Sequence, residues 1–207
     1  MRTNFGFYGI LTHPERGYEA LADIMVQHRV RYIQLRMKET PDDVVVDMAR
    51  RLRAVIGGES LLIINDRPDI ALEVGADGVH IGQDDTPYAQ VRRMMGPDRV
   101  VGLSTHNLAQ TRAACALDPR PDYIGVGPVF ATPTKKNPDP VIGLDGMKAM
   151  VQEATVPAVA IGGIDLENLD VVLAHGAENL CAVRCVNRAD DPGAVIRRFQ
   201  TRLASFE

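Results

Sequence analysis

The sequence predicts an α/β protein built as a single (β/α)8 TIM barrel spanning residues 1–207. Three observations carry that expectation. Short apolar runs rich in β-branched residues recur at even spacing along the chain. Their hydrophobicity is nearly continuous, which suits parallel strands covered on both faces rather than strands alternating between core and water. Stretches with helical spacing lie between them, and no linker or shift in composition divides the chain. An open doubly wound sheet is the rival architecture, but so regular a repeat favours closure.

In chain order, strands are expected at about 5–11, 31–37, 61–66, 78–82, 100–105, 122–129, 158–163 and 179–186. Helical spacing marks 17–28, where Tyr18, Leu21, Ile24 and Met25 recur at intervals of three and four. The segment 41–56 opens with Pro41-Asp42-Asp43, an N-terminal signature, and carries Val45, Met48, Ala49, Leu52 and Val55. Segments 86–95, 107–116, 145–153, 165–174 and 191–204 behave similarly. Gly75-Ala76-Asp77 before the fourth strand and Gly176-Ala177-Glu178 before the eighth are weak echoes of one repeated unit.

Composition excludes several classes of function. Acidic residues outnumber basic ones, 27 against 23, so net charge gives no support to a general nucleic-acid binder. Trp is absent and aromatics are 5%, which argues against a base-stacking platform. No apolar run approaches the roughly 20 residues that cross a bilayer. The N-terminus lacks the pattern of a signal peptide, so a soluble, cytoplasmic protein is expected. Cys115, Cys181 and Cys185 offer neither a disulfide framework nor zinc spacing, and are expected as core thiols. Oligomeric state is not written in the sequence.

In such a barrel, functional groups sit at the carboxyl ends of the strands. The second strand closes in Gln34-Leu35-Arg36-Met37-Lys38. A period of two puts Gln34, Arg36 and Lys38 on one face. Two cations and an amide there are costly unless they meet an anion or an acid; a structural ion pair with a neighbouring strand is the plainer alternative. Asp66 follows Asn65 at the end of the third strand, and Asp84-Asp85 follow the fourth. Carboxylates on adjacent strands can share Mg2+, although helix capping explains each one singly. Ser104 ends the fifth strand, either as a hydrogen-bonding group for phosphate or a ring nitrogen, or as a helix cap. His80, inside a strand, is expected as a satisfied interior histidine rather than a base. The long loop with Thr132, Pro133, Thr134 and Lys135 reads as an anion clamp, and Gly162-Gly163 as a backbone approach to phosphate.

Taken together, Gln34–Lys38, Ile64-Asn65-Asp66-Arg67, the run Gly75–Asp85 and the run Asp122–Lys135 closely resemble thiamine-phosphate synthase, over nearly the whole chain. The resemblance implies an enzyme joining 4-amino-2-methyl-5-hydroxymethylpyrimidine diphosphate to a thiazole phosphate, releasing diphosphate and thiamine phosphate. Carried over by motif, Gln34, Leu35, Arg36, Met37, Lys38, Asn65, Ser104 and Lys135 would hold the pyrimidine diphosphate. Asp66 and Asp85 would bind Mg2+, with Arg36, Lys38 and Lys135 stabilising the leaving group. Thr132, Pro133, Thr134 and Gly163 would meet the thiazole phosphate, together with Val183 and Arg184 at the end of the eighth strand.

One departure stands out. The family usually ends that strand in a valine-serine-alanine-isoleucine type of run, where this chain has Val183-Arg184-Cys185-Val186. Arg184 either replaces the serine by a charged contact with phosphate or occludes the subsite. A thiazole tautomerase-like paralogue and a non-catalytic phosphate-binding barrel are the rival functions.

Overall fold

The computed structural model describes residues 4–132 and 139–206. Eight strands form one parallel sheet in sequential order: β1 Gly9–Leu11, β2 Tyr32–Leu35, β3 Leu61–Asn65, β4 Gly78–Ile81, β5 Val100–Thr105, β6 Tyr123–Val126, β7 Ala158–Ile161 and β8 Asn179–Cys181. Closure comes through the residues just before β1. Phe7 bridges Leu180, Tyr8 N–H donates to the Leu180 carbonyl at 2.9 Å, and Leu180 N–H donates to the Gly6 carbonyl at 3.1 Å. Among the described residues the barrel therefore leaves no open sheet edge.

Helices α1 Tyr18–Gln27, α2 Asp42–Val55, α3 Pro68–Glu73, α4 Tyr88–Met95, α5 Leu108–Cys115, α6 Gly143–Glu153, α7 Leu169–Ala174, α8 Arg184–Asn187 and α9 Pro192–Ala204 complete the described elements. The α3 helix is only six residues long, too short to show helical spacing in the sequence. Among the described residues no helix is long and apolar enough to cross a membrane.

Strand alternation sorts the core into two layers. Outward residues such as Leu11, Ile33, Leu35, Leu62, Ile64, Val79, Ile81, Val101, Ile124 and Val126 pack under the helices with Leu21, Ala49, Leu52, Val91, Met147 and Val172. Inward residues Tyr8, Ile10, Tyr32, Ile63, Tyr123, Val159 and Cys181 form a separate cluster inside the barrel. Aromatic rings fill much of that interior, with Tyr8, Tyr32 and Tyr123 centroids 5.4–5.8 Å apart. Gly102 makes room for them: a Cβ there would lie 2.2 Å from Tyr123 Cζ and 2.5 Å from His80 Nδ1.

The eighth strand departs from its expected range of 179–186. It ends at Cys181, and Arg184 opens the four-residue helix α8. Local apolar content reads as strand, but Asn187 fixes the turn. Its Nδ2 donates to the Ile10 carbonyl at 2.7 Å and to the Val183 carbonyl at 2.9 Å, while its Oδ1 accepts from Thr12 N–H at 2.9 Å. Long-range bonding to β1 outweighs local propensity here.

Candidate active site

A cavity of about 850 Å3 opens at the carboxyl ends of the strands. It takes side chains from every strand end and from the loops that follow, the expected location of function in this architecture.

Gln34 on β2 and Arg36 and Lys38 just beyond its end all line the cavity. Leu35 and Met37 do not. Leu35 is buried in the outer core and Met37 packs against it, as alternation along the segment dictates, so neither side chain reaches the cavity. Arg36 is half-buried, and burial lowers its guanidinium pKa from the ordinary value while Asp66 acts in the opposite direction. The group stays charged, because an arginine keeps its proton inside proteins. Lys38 Nζ lies 2.6 Å from Asp66 Oδ2.

Asp66 sits just past β3 with φ of 61°, a left-handed conformation that costs a non-glycine residue energy. Its N–H donates to the His80 carbonyl at 2.8 Å, which holds that turn against β4. Asp85 Oδ2 accepts from Gly82 N–H at 2.7 Å. Burial, and next the Asp66 carboxyl within hydrogen-bonding reach, push the Asp85 carboxyl above its ordinary range. Neither aspartate caps a helix: the residues preceding α3 and α4 are Arg67 and Pro87, and neither helix has a side-chain cap. Two carboxyl groups are thus held together beside a lysine and an arginine.

Among the described residues no group of three or more His, Cys, Asp or Glu comes together as a metal cage. The Asp66–Asp85 pair still fits Mg2+. That ion commonly takes one or two carboxylates and completes its shell with water and phosphate oxygens. A hard oxygen donor pair whose mutual repulsion raises a pKa is a suitable partner for a divalent cation.

Below this rim lies a polar chain inside the barrel. Gln34 Nε2 donates to Tyr8 Oη at 2.9 Å, and Tyr8 Oη lies 2.7 Å from Tyr123 Oη. Tyr123 Oη is 3.0 Å from His80 Nδ1, and His80 Nε2 is 2.9 Å from Ser104 Oγ. His80 is therefore satisfied at both ring nitrogens, as its position inside a strand suggests. Burial drives its pKa down to about 4 and those of Tyr8 and Tyr123 upward. Ser104 is not a helix cap, since Asn107 Oδ1 takes that place by accepting from Gln110 N–H at 2.9 Å.

Asn65, Thr132, Gly163, Val183 and Arg184 also line the cavity. Pro133, Thr134 and Lys135 lie outside the described residues. Gly163 has φ of 64°, and a Cβ there would lie 2.7 Å from Phe130 Cβ and 2.8 Å from the Ala131 carbonyl oxygen. The close approach that Gly162-Gly163 permits is thus one by the chain's own β6–α6 loop: Phe130 N–H donates to the Gly162 carbonyl at 2.9 Å. Arg184 is exposed on α8, with Arg188 one turn further along and also on the cavity.

Sequence reasoning passes over Tyr8, Tyr123, His106, Asp139, Cys185 and Arg188 as lining residues. Tyr8 and Tyr123 carry a signal in their inward strand parity. Cys181 is buried as expected, whereas Cys115 and Cys185 are only half-buried. Burial raises the Cys185 thiol to about 11, so it stays protonated at neutral pH.

A parallel barrel with a cationic strand end facing a carboxylate pair defines the class: a (β/α)8 protein with charged groups of both signs gathered at its mouth. Residues 9–186 match the family described as thiamine monophosphate synthase. The chain belongs to that family. It is 42% identical to the thiamine-phosphate synthase of Anaeromyxobacter dehalogenans over 86% of this chain and 78% of that protein. It is 48% identical to the thiamine-phosphate synthase of Gloeobacter violaceus over 83% of this chain, but that match spans only 50% of the relative's length. The structure superposes on a thiamine phosphate pyrophosphorylase from Pyrococcus furiosus with a TM-score of 0.86 and 27% identity, covering 98% of this chain and 96% of the other.

Proposed function

We propose that this chain, acting from one barrel, is a thiamine-phosphate synthase. It couples 4-amino-2-methyl-5-hydroxymethylpyrimidine diphosphate with thiazole phosphate, giving thiamine phosphate and diphosphate. The observation that carries the reading is the pairing of opposite charges at one mouth. Lys38 lies 2.6 Å from Asp66, with Asp85 against that carboxylate and Arg36 beside it. A structural ion pair alone would not need a second carboxylate pressed against the first.

In this reading Arg36 and Lys38 hold the diphosphate, Gln34, Asn65 and Ser104 orient the pyrimidine, and Asp66 and Asp85 bind Mg2+. When bound, Mg2+ supplies positive charge to the leaving diphosphate. The protein neutralises charge as the carbon–oxygen bond to diphosphate breaks, an electrostatic task suited to a fixed guanidinium and ammonium. Carbon–nitrogen bond formation follows, the thiazole nitrogen donating its lone pair to the pyrimidine methylene carbon. That nitrogen carries no proton, so no general base is required, in keeping with a satisfied His80. Thr132, Gly163, Val183 and Arg184 receive the thiazole phosphate, with Pro133 and Thr134 following Thr132 in the chain, while Lys135 joins Arg36 and Lys38 on the departing diphosphate. The loop's part is to keep water from the cationic pyrimidine carbon.

Incubating the purified protein with both substrates and Mg2+ tests this reading. Stoichiometric thiamine phosphate and diphosphate are expected. Thiazole proton exchange without coupling would identify a tautomerase-like protein, and ligand binding without turnover a phosphate-binding barrel; either result overturns the proposal.

A further inference from the structure

His106 stands just past β5 and lines the cavity, and the proposed coupling makes no use of it. Its backbone is well held: the N–H donates to Gln110 Oε1 at 2.7 Å on α5, and Asn107 caps that helix. The ring therefore projects from a rigid post. Its Nδ1 lies 2.6 Å from the Gly127 carbonyl oxygen, and its Nε2 lies 3.4 Å from Asp139 Oδ2. Gly127 and Asp139 belong to the two described ends of the connection from β6 to α6. Those ends are also joined by the backbone, where Ile142 N–H donates to the Pro128 carbonyl at 2.9 Å.

A backbone carbonyl and an ionised carboxylate both accept and never donate, so the protons of this ring have one arrangement. Nδ1 must carry hydrogen to meet Gly127. Turning the ring over would set a carbon 2.6 Å from that oxygen, well inside the roughly 3.3 Å of a C–H···O contact. Neutral His106 thus points the bare lone pair of Nε2 at a carboxylate, which repels it. One further proton, on Nε2, turns the same contact into an ion pair. We infer that His106 is a positioning residue for the β6–α6 connection: protonated at Nε2 it fastens Asp139 to the end of β5, and deprotonated it lets Asp139 go. Its other neighbours add no charge to the contact, since Gln110 is uncharged and His80 on β4 is kept neutral by burial. Thr132 lies between the two ends in the chain, and in the synthase reading it receives the thiazole phosphate. Fastening is therefore felt in the affinity for that substrate, and this step alone rests on the proposed function.

Amide hydrogen exchange tests the fastening without any ligand. Asp139→Asn keeps the shape of the side chain and removes its charge. At about pH 6 the Ile142 amide should exchange about fivefold faster in this variant than in the unmutated protein, and at about pH 8 no faster. The same ratio at both pH values, or no change at the lower one, overturns the inference. The ring itself is read by 15N NMR of labelled histidine at about pH 8, with His106 assigned by the signals lost in His106→Gln. Nδ1 should be protonated and Nε2 bare; the opposite tautomer overturns the inference, whatever the protein catalyses.

Kinetics carry the link to substrate. His106→Gln should raise KM for thiazole phosphate about fivefold at about pH 6 and little at about pH 8, with a smaller change in kcat. A merely structural role would move KM alike at both. The double variant His106→Gln/Asp139→Asn should be no worse than either single one, because both changes break the same contact. Additive effects contradict the inference. Should His106→Gln fail to fold, Asp139→Asn, at a partly exposed position, carries the kinetic comparison and marks the His106 signals by shifting them. A protein that does not couple the two substrates would count against the synthase reading, while amide exchange and the tautomer still decide the role of His106.

Discussion

The two halves of the barrel mouth are built from different materials. At the ends of β2, β3 and β4, side chains of both signs are packed together: Arg36, Lys38, Asp66 and Asp85. Around β7, β8 and α8 the wall consists of Gly162 and Gly163, the start of a short helix, two exposed arginines and Asp165. The first half is strained in two ways, in the backbone at the left-handed φ of 61° of Asp66 and electrostatically in the raised Asp85 carboxyl. Such strain persists only where the surrounding structure holds it in place, and it clusters at functional sites. The second half is suited to receive an anion on arginines that reach the cavity from the surface. In the proposed function the first rim serves the diphosphate that departs, and the second a phosphate that is only held.

The largest effect should come from the strained rim. Asp85→Asn removes one of the paired carboxylates and should lower kcat by about a hundredfold or more in a diphosphate-release assay. Circular dichroism should report an intact fold, because Asp85 bonds to the Gly82 backbone rather than packing in the core. An unchanged rate would remove Asp85 from the metal site and erase the contrast between the rims. A smaller effect belongs to the second rim. Arg184→Ser should raise KM for thiazole phosphate roughly tenfold, the size expected when a charge-assisted hydrogen bond is removed from a partly solvated site. The KM for the pyrimidine diphosphate should stay unaltered. Kinetics indifferent to that change would make Arg184 a surface group.

The smallest expected effect concerns the floor shared by both rims. His80 takes up its proton at about 4 in the folded protein, against 6.5 for an ordinary histidine. Between those values the unfolded chain binds one proton more, so stability is lost as pH falls through that window and is unaffected above it. Urea unfolding across the window should show a slope about one proton steeper for the unmutated protein than for His80→Gln. Equal slopes would mean that His80 is not held neutral by burial.

These differences also explain what the sequence could reveal. Alternation carries on just past the end of β2: Gln34, Arg36 and Lys38 line the cavity, whereas Leu35 and Met37 pack in the outer core even though they belong to the same motif. The Asn65-Asp66 and Asp84-Asp85 pairs are legible because their strands end where the apolar runs end. At β8 the run continues in sequence after the strand has stopped. Only the long-range bonds of Asn187 to Thr12 and Ile10 show where the chain turns, and no local pattern encodes them. The tyrosine chain is hidden for a related reason. Tyr8, just before β1, and Tyr123, on β6, have no local pattern in common until closure brings their hydroxyls to 2.7 Å across the barrel.

The central claim is that the cations of β2 and the carboxylates after β3 and β4 grip one shared polyanion. A crystal structure with diphosphate and Mg2+ tests it most directly. The account predicts an ion bound by both Asp66 and Asp85, with diphosphate oxygens on that ion and on Arg36 and Lys38. Diphosphate seated instead against Arg184 and Arg188, with no ion between the two aspartates, would contradict it.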